Sequence, residues 1–229
     1  MATKTYYTAA GDGAVRNYGF SGYASVRNAA SGDVAYPTQI TSDVGSYGIT
    51  ASTGASTSAV AIARHFFPFD TSADDIDVAD VTAISLFLYV VSKEDDAPAE
   101  ANSKLVLVAN TQASNTTLVL ADFSRVGAVN FGELDLGNVT VNAYNEFVLN
   151  AAGIAAFNGS GFTKYAIREG HDLTNTWPPS SWNKTWARSG ADFAMSEDTS
   201  GTKDPYMVVT YSAASPAARA AREGVVMMM

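Results

Sequence analysis

The stretch that most constrains this chain is Val78 to Val91, because it has a period of two and no other regular period. Val81, Ala83, Ser85, Phe87 and Tyr89 fall on one side of an extended strand, while Thr82, Ile84, Leu86, Leu88 and Val90 fall on the other. From Ile84 onward both sides are largely apolar. A strand of that kind is central: a second sheet covers one side, and loops or a neighbouring subunit cover the other. Short β-branched and aromatic runs recur through the rest of the chain between Gly, Asn, Asp and Ser clusters, the strand-and-turn rhythm of a sandwich. Strands are expected near residues 5–8, 14–15, 24–27, 34–36, 40–41, 59–69, 80–91, 104–110, 145–149, 164–168, 191–195 and 206–211. The stretch 45–58, rich in Gly and Ser, is expected to be a long exposed loop.

Helical signal is confined to three places, so fewer than about a tenth of the residues are expected in helix. Residues 117–123 form a turn, and 150–157 read as a short helix capped by Asn150. Residues 215–224 carry a Ser215 N-cap, Pro216 at the first helical position and a closing Gly224, followed by Val225, Val226, Met227, Met228 and Met229. The expected fold is all-β, a single jelly-roll β-sandwich over residues 1–212, with a helical and apolar tail over 213–229. Phe66, Phe69, Leu86, Leu88 and Val208 are the expected core.

Charge and composition narrow the function. Apolar residues make up 47% of the 229 and charged residues 16%, which suffices for a packed core. The formal charge of −9 is spread along the chain, with no block of Lys or Arg to neutralise a phosphate backbone, so nucleic acid is not an expected partner. Cysteine is absent, so neither disulfides nor a thiolate metal site is expected. There is no 18-residue apolar run and no signal-peptide pattern, so no membrane association or export is expected.

The residues that bear chemistry are few. Histidine occurs only at His65 and His171. A hydrolytic set built on His171 and Asp172 competes with a plainer reading of Arg168-Glu-Gly-His-Asp172 as a salt-bridged turn. In that turn Arg168 pairs Glu169 or Asp172, and Gly170 supplies an unusual backbone angle. The two carboxylates are also a possible cation site. Asp74, Asp75, Asp77 and Asp80 lack the spacing of an EF-hand loop and read as a solvated turn. Trp177, Trp182 and Trp186 share one loop. They either stack on sugar rings or close one end of the sandwich or a subunit contact. Asn115, Asn138, Asn158 and Asn183 begin glycosylation-like triplets that chance explains in an Asn- and Thr-rich chain. No catalytic set, metal or other cofactor is expected.

Arg64-His-Phe-Phe-Pro-Phe-Asp-Thr-Ser-Ala73, followed by Val81-Thr-Ala-Ile-Ser-Leu-Phe-Leu-Tyr89, resembles the signature of the jelly-roll modules called DNRLRE domains. Gly11-Asp-Gly13, Asn110-Thr-Gln-Ala-Ser-Asn-Thr-Thr117, Ile167-Arg-Glu-Gly-His-Asp172 and Asp204-Pro-Tyr-Met-Val-Val-Thr-Tyr211 resemble a phage and metagenome branch of that group. The resemblance implies a carbohydrate-binding-like jelly roll and, on phage genomes, a structural role. The expected function is therefore a non-enzymatic capsid decoration or cement protein on the outside of a virion. Such a protein would be assembled in the host cytoplasm, homotrimeric, and partnered with the major capsid protein or another virion protein. The alternative is a carbohydrate-binding module or a tail-fibre or spike domain. The apolar end, Val225 to Met229, is the expected anchor to a neighbouring subunit or the shell.

Overall fold

The computed structural model describes residues 1–20, 22–36, 41–49, 59–96, 101–176, 186–196 and 201–212, with the backbone alone for 41–49, 59, 186 and 187. Within them lie twelve strands: β1 (Ala2–Tyr7), β2 (Gly13–Gly19), β3 (Val34–Tyr36), β4 (Thr41–Ile49), β5 (Ala59–Asp70), β6 (Val81–Asp95), β7 (Lys104–Ala109), β8 (Gly132–Asp135), β9 (Ala143–Val148), β10 (Phe162–Glu169), β11 (Trp186–Ala194) and β12 (Tyr206–Tyr211). All pairings are antiparallel. The protein is an all-β sandwich with 49% of its residues in strands. One layer runs β9-β6-β12-β1 and the other β3-β2-β5-β10-β7-β8. The pair β11-β4 bridges the far halves of β6 and β5, so the ladder is continuous.

Helix reaches 15%, above the expected tenth, although no helix among the described residues exceeds five residues. They are α1 (Tyr23–Arg27), α2 (Ala151–Ala155), α3 (Gly170–Thr174) and three 3-10 turns. Single turns of helix satisfy backbone donors locally where connections leave the sheets. Asn150 caps α2 as expected, accepting from the amides of Ala152 and Gly153 at 3.0 and 3.1 Å.

Alternation sorts the core into two clusters. Between the sheets lie Ile84, Leu86, Leu88 and Val90 of β6, Phe67 and Phe69 of β5, Leu105 and Leu107 of β7, Tyr165 and Ile167 of β10, and Met207 and Val209 of β12. The opposite parity of the second sheet, Val60, Ile62, Phe66, Val106, Val108 and Ala166, packs beneath α1 and the segment around Leu118 and Phe123. The central strands β5, β10 and β7 of the second sheet are thus buried on both faces, whereas β6 keeps one face open among the described residues. Its outward Ser85, Phe87 and Tyr89 are only half-buried.

Four expectations change. Residues 24–27 lie in a helix, with Val26 inserted into the second cluster, so burial of that one side chain overrides the local alternation. Residues 45–49 lie in β4 despite Gly45 and Gly48, because β4 is paired along its length with β11 and over 45–49 with β5. Val208 faces outward and half-buried, while its neighbours Met207 and Val209 enter the core. β8, whose sequence Gly-Glu-Leu-Asp carries little strand signal, forms because it pairs with β7. Residues 213–229 lie outside the described set, as do Trp177 and Trp182. Among the described residues, no helix is long and apolar enough to cross a membrane.

Leu88 is fully buried between the sheets. Leu88→Ala is therefore expected to cost about 2–5 kcal/mol in chemical denaturation, against under about 1 kcal/mol for the outward Val208→Ala.

Candidate functional site

The polar motifs of the sequence converge inside the molecule, and their contacts decide what they are for. Arg64 on β5 and Arg168 on β10 both point into the second cluster, and between them sits Asp172 of α3, fully buried. Arg64 Nε and Nη2 donate to the two carboxylate oxygens of Asp172, both at 2.8 Å. Arg168 Nε and Nη2 do so at 2.8 and 2.9 Å. The remaining guanidinium donors go to main-chain carbonyls: Arg64 to Phe123 and Arg27 at 2.6 and 2.9 Å, and Arg168 to Gly127 and Asp172 at 3.0 and 2.7 Å. Arg27 of α1 adds donations to the Asp172 and Leu173 carbonyls at 2.6 and 3.1 Å. Burial alone would push the Asp172 carboxyl up, but the Arg64 and Arg168 guanidiniums outweigh it and hold the group at about 2.

The Arg168–Asp172 pair expected from sequence is present, but inside the fold and not in a surface turn. Gly170 does not adopt a positive φ. It is glycine because a Cβ there would lie 2.3 Å from the Asn102 carbonyl oxygen. Pairing of Asp172 with Arg64, 108 residues away, is the contact that sequence reasoning missed. The available signal was a charged residue inside the apolar run of β5, which has to find a buried partner.

On the other side of β10, Glu169 caps α3 by accepting from the His171 and Asp172 amides at 2.9 and 3.3 Å. Its Oε1 lies 2.6 Å from His171 Nδ1 and accepts from Ser189 Oγ at 2.8 Å. All three residues are buried. Here the carboxylate joins serine to histidine, whereas a nucleophilic set needs the imidazole between serine and acid. Among the described residues His171 is bound to Glu169 and not to Asp172, and Glu169 serves as the cap of α3.

The other signature motifs meet in the same way. Gln112 Nε2 donates to the Gly11 carbonyl at 3.0 Å, joining the 110–117 stretch to Gly11-Asp-Gly13. Asp12 is buried and accepts from Thr8 Oγ1, Ser196 N and Ser196 Oγ at 2.9, 3.0 and 2.7 Å. Burial nevertheless pushes its carboxyl up. Thr71 Oγ1 lies 2.5 and 2.8 Å from the Asn158 and Gly161 carbonyls. In the acidic turn, Asp74 pairs Lys4 at 2.8 Å and Asp77 caps the turn Val78–Asp80 through the Ala79 amide. No group of three potential metal ligands occurs among the described residues. Trp186 opens β11, and the rest of the tryptophan loop and the 225–229 end lie outside the described residues.

Among the described residues, the outer face of the β9-β6-β12-β1 sheet is left open. Register sets Tyr7, Tyr206, Phe87 and Glu146 in one row across the four strands, with Tyr89 and Tyr144 paired in the next. Phe87 and Tyr206 stack at 4.8 Å and 12°. Tyr144 meets Tyr206 and Tyr89 edge-on at 5.1 and 5.5 Å, and Tyr7 tilts against Tyr206 at 5.9 Å. Lys203 Nζ sits 5.1 Å above the Tyr89 ring. Tyr7 and Val148 on this face are 60% and 62% exposed. The chain matches no known family model, and no curated protein is similar to it.

Two outcomes follow from the buried groups. Asp172→Asn leaves two guanidiniums facing a neutral amide and should lower stability by about 3–5 kcal/mol in urea titration. His65 is fully buried, with Nδ1 unpartnered, and burial drives its pKa from 6.5 down to about 3. The unfolded chain therefore binds a proton below pH 6.5 that the folded chain refuses. Stability is full above that pH and falls by about 1.4 kcal/mol per unit as pH drops toward 3. The raised Asp12 pKa acts in the opposite sense, so the test is a comparison: His65→Leu should lose the acid-side slope that the parent protein shows between pH 6.5 and 4.5.

Proposed function

We propose that this chain is a non-enzymatic structural subunit of a phage particle, a capsid decoration protein carried on the outside of the shell. One observation carries the reading. The residues equipped for chemistry, Arg64, Arg168, Glu169, His171, Asp172 and Ser189, are sealed inside and spent on holding strands and helices together, while the open feature is a broad aromatic sheet face suited to contact. The resemblance of the signature motifs to phage jelly-roll modules supplies the setting. Attachment to the shell is assigned to the apolar end Val225, Val226, Met227, Met228 and Met229, where burial of each side chain would contribute about 1.5–3 kcal/mol before ordering costs.

The test is co-sedimentation with assembled shells. The intact protein should load to saturation, and deletion of 225–229 should leave the circular dichroism of the sandwich unchanged while reducing occupancy several-fold. Undiminished loading of the truncated protein removes the anchor. Failure of the intact protein to load, together with binding to a polysaccharide that Trp182→Ala abolishes, replaces the decoration reading with glycan recognition.

A further inference from the structure

We infer that the outer face of the β9-β6-β12-β1 sheet is a contact surface for a second copy of this chain, the two faces meeting about a twofold axis. The proposal takes from the structural-subunit reading only its biological setting.

The first argument is ring geometry. In the stacked pair Phe87–Tyr206 the rings overlap face to face, and Lys203 occupies a face of Tyr89. One face each of Phe87, Tyr206 and Tyr89 is therefore already occupied within the chain, and the Tyr144 hydroxyl is spent on the Thr202 and Asp204 carbonyls. Rings already engaged with their own neighbours suit packing against protein side chains, whereas stacking on a sugar requires free ring faces.

The second argument is electrostatic. A chain of formal charge −9 repels its own copies, and their closest approach is favoured where the local charge cancels. This face carries one acid, Glu146, and one base, Lys203, and neither has an ion-pair partner among the described residues. Ser85 Oγ donates to Glu146 at 2.7 Å, which fixes the carboxylate at the surface. In a twofold contact each residue of a complementary pair meets the other on the opposite copy, so Glu146 and Lys203 form two equivalent cross-pairs.

Size sets the strength. Four strands about 4.8 Å apart and six residues of about 3.3 Å rise give roughly 400 Å² per copy. That is about half of a standard interface, so the association is weak in free solution and becomes effective where copies are held close together, as on a shell.

Analytical ultracentrifugation of the full chain, without shells, tests this. A monomer–dimer equilibrium is expected in the range of about 10–500 µM. Glu146→Lys should weaken it at least about tenfold, and the double variant Glu146→Lys/Lys203→Glu should recover to within about threefold of the parent. Both positions can be reversed without disturbing the core, and thermal melts verify that. Val148→Asp, at an exposed position on the same face, should also weaken the dimer. A monomer across the whole range overturns the inference, as does a dimer indifferent to Glu146→Lys and Val148→Asp. A soluble polysaccharide that binds this face without any self-association overturns it as well. Because no shell is present, these outcomes are independent of whether the protein loads onto one.

Discussion

The fold depends on one buried carboxylate. Asp172 is reached by arginines from two adjacent strands, and the same arginines fasten the carbonyls of Arg27, Phe123 and Gly127. An ion set of this kind gains little over a well-packed apolar one, since desolvation cancels most of the Coulomb energy. What it contributes is specificity. The guanidinium forks accept only one placement of α3, α1 and the 118–127 segment over the outer face of the second sheet. Without that cover, Ile62, Phe66, Val106 and Val108 would face water.

The two sheets of the sandwich are consequently unequal. The central strands β5, β10 and β7 of the β3-β2-β5-β10-β7-β8 sheet are covered on both faces by their own chain and carry apolar residues on both parities. The β9-β6-β12-β1 sheet is covered on one face by the described residues. Its outward parity carries aromatic and hydroxyl side chains whose contacts are with one another. Partly exposed aromatic rings beside the exposed Tyr7 and Val148 leave apolar area open on this surface. Their mutual stacking lowers that exposure without removing it.

Legibility followed the length scale of the interactions. The alternation of β6 and the inward Phe69, Leu86 and Leu88 were readable because side-chain parity is local. Asn150 as a cap is readable because the amides that donate to it lie two and three residues away. β4 was not: its glycines have poor strand propensity, and the segment is extended because β11 and β5 lie on either side of it. Val208 was misassigned by one position, and in a strand one position changes the face. The Arg64–Asp172 pair spans 108 residues, and nothing in the spacing announces it. Only the presence of an arginine within a buried run indicated that a partner had to exist. The open aromatic face was half visible, in Phe87 and Tyr89. Tyr7, Tyr144 and Tyr206 come from three other strands that register alone brings alongside.

The placement of the signature motifs bears on how such a chain divides its labour. Arg64, Asp12, Thr71, Gln112, Glu169 and Asp172 are the most distinctive polar residues of the sequence, and each is engaged in tying separate segments together. Residues engaged in that way fix the scaffold from within and leave the outward side chains of its strands outside the core. The outer face of the β9-β6-β12-β1 sheet is built from alternate residues of four strands whose opposite parity is fixed by the core. Its side chains can change without unfolding the sandwich, as the outward Val208 between the buried Met207 and Val209 illustrates. Five aromatic rings nonetheless lie in contact on that face, so their own stacking, and not the core, sets how they are arranged.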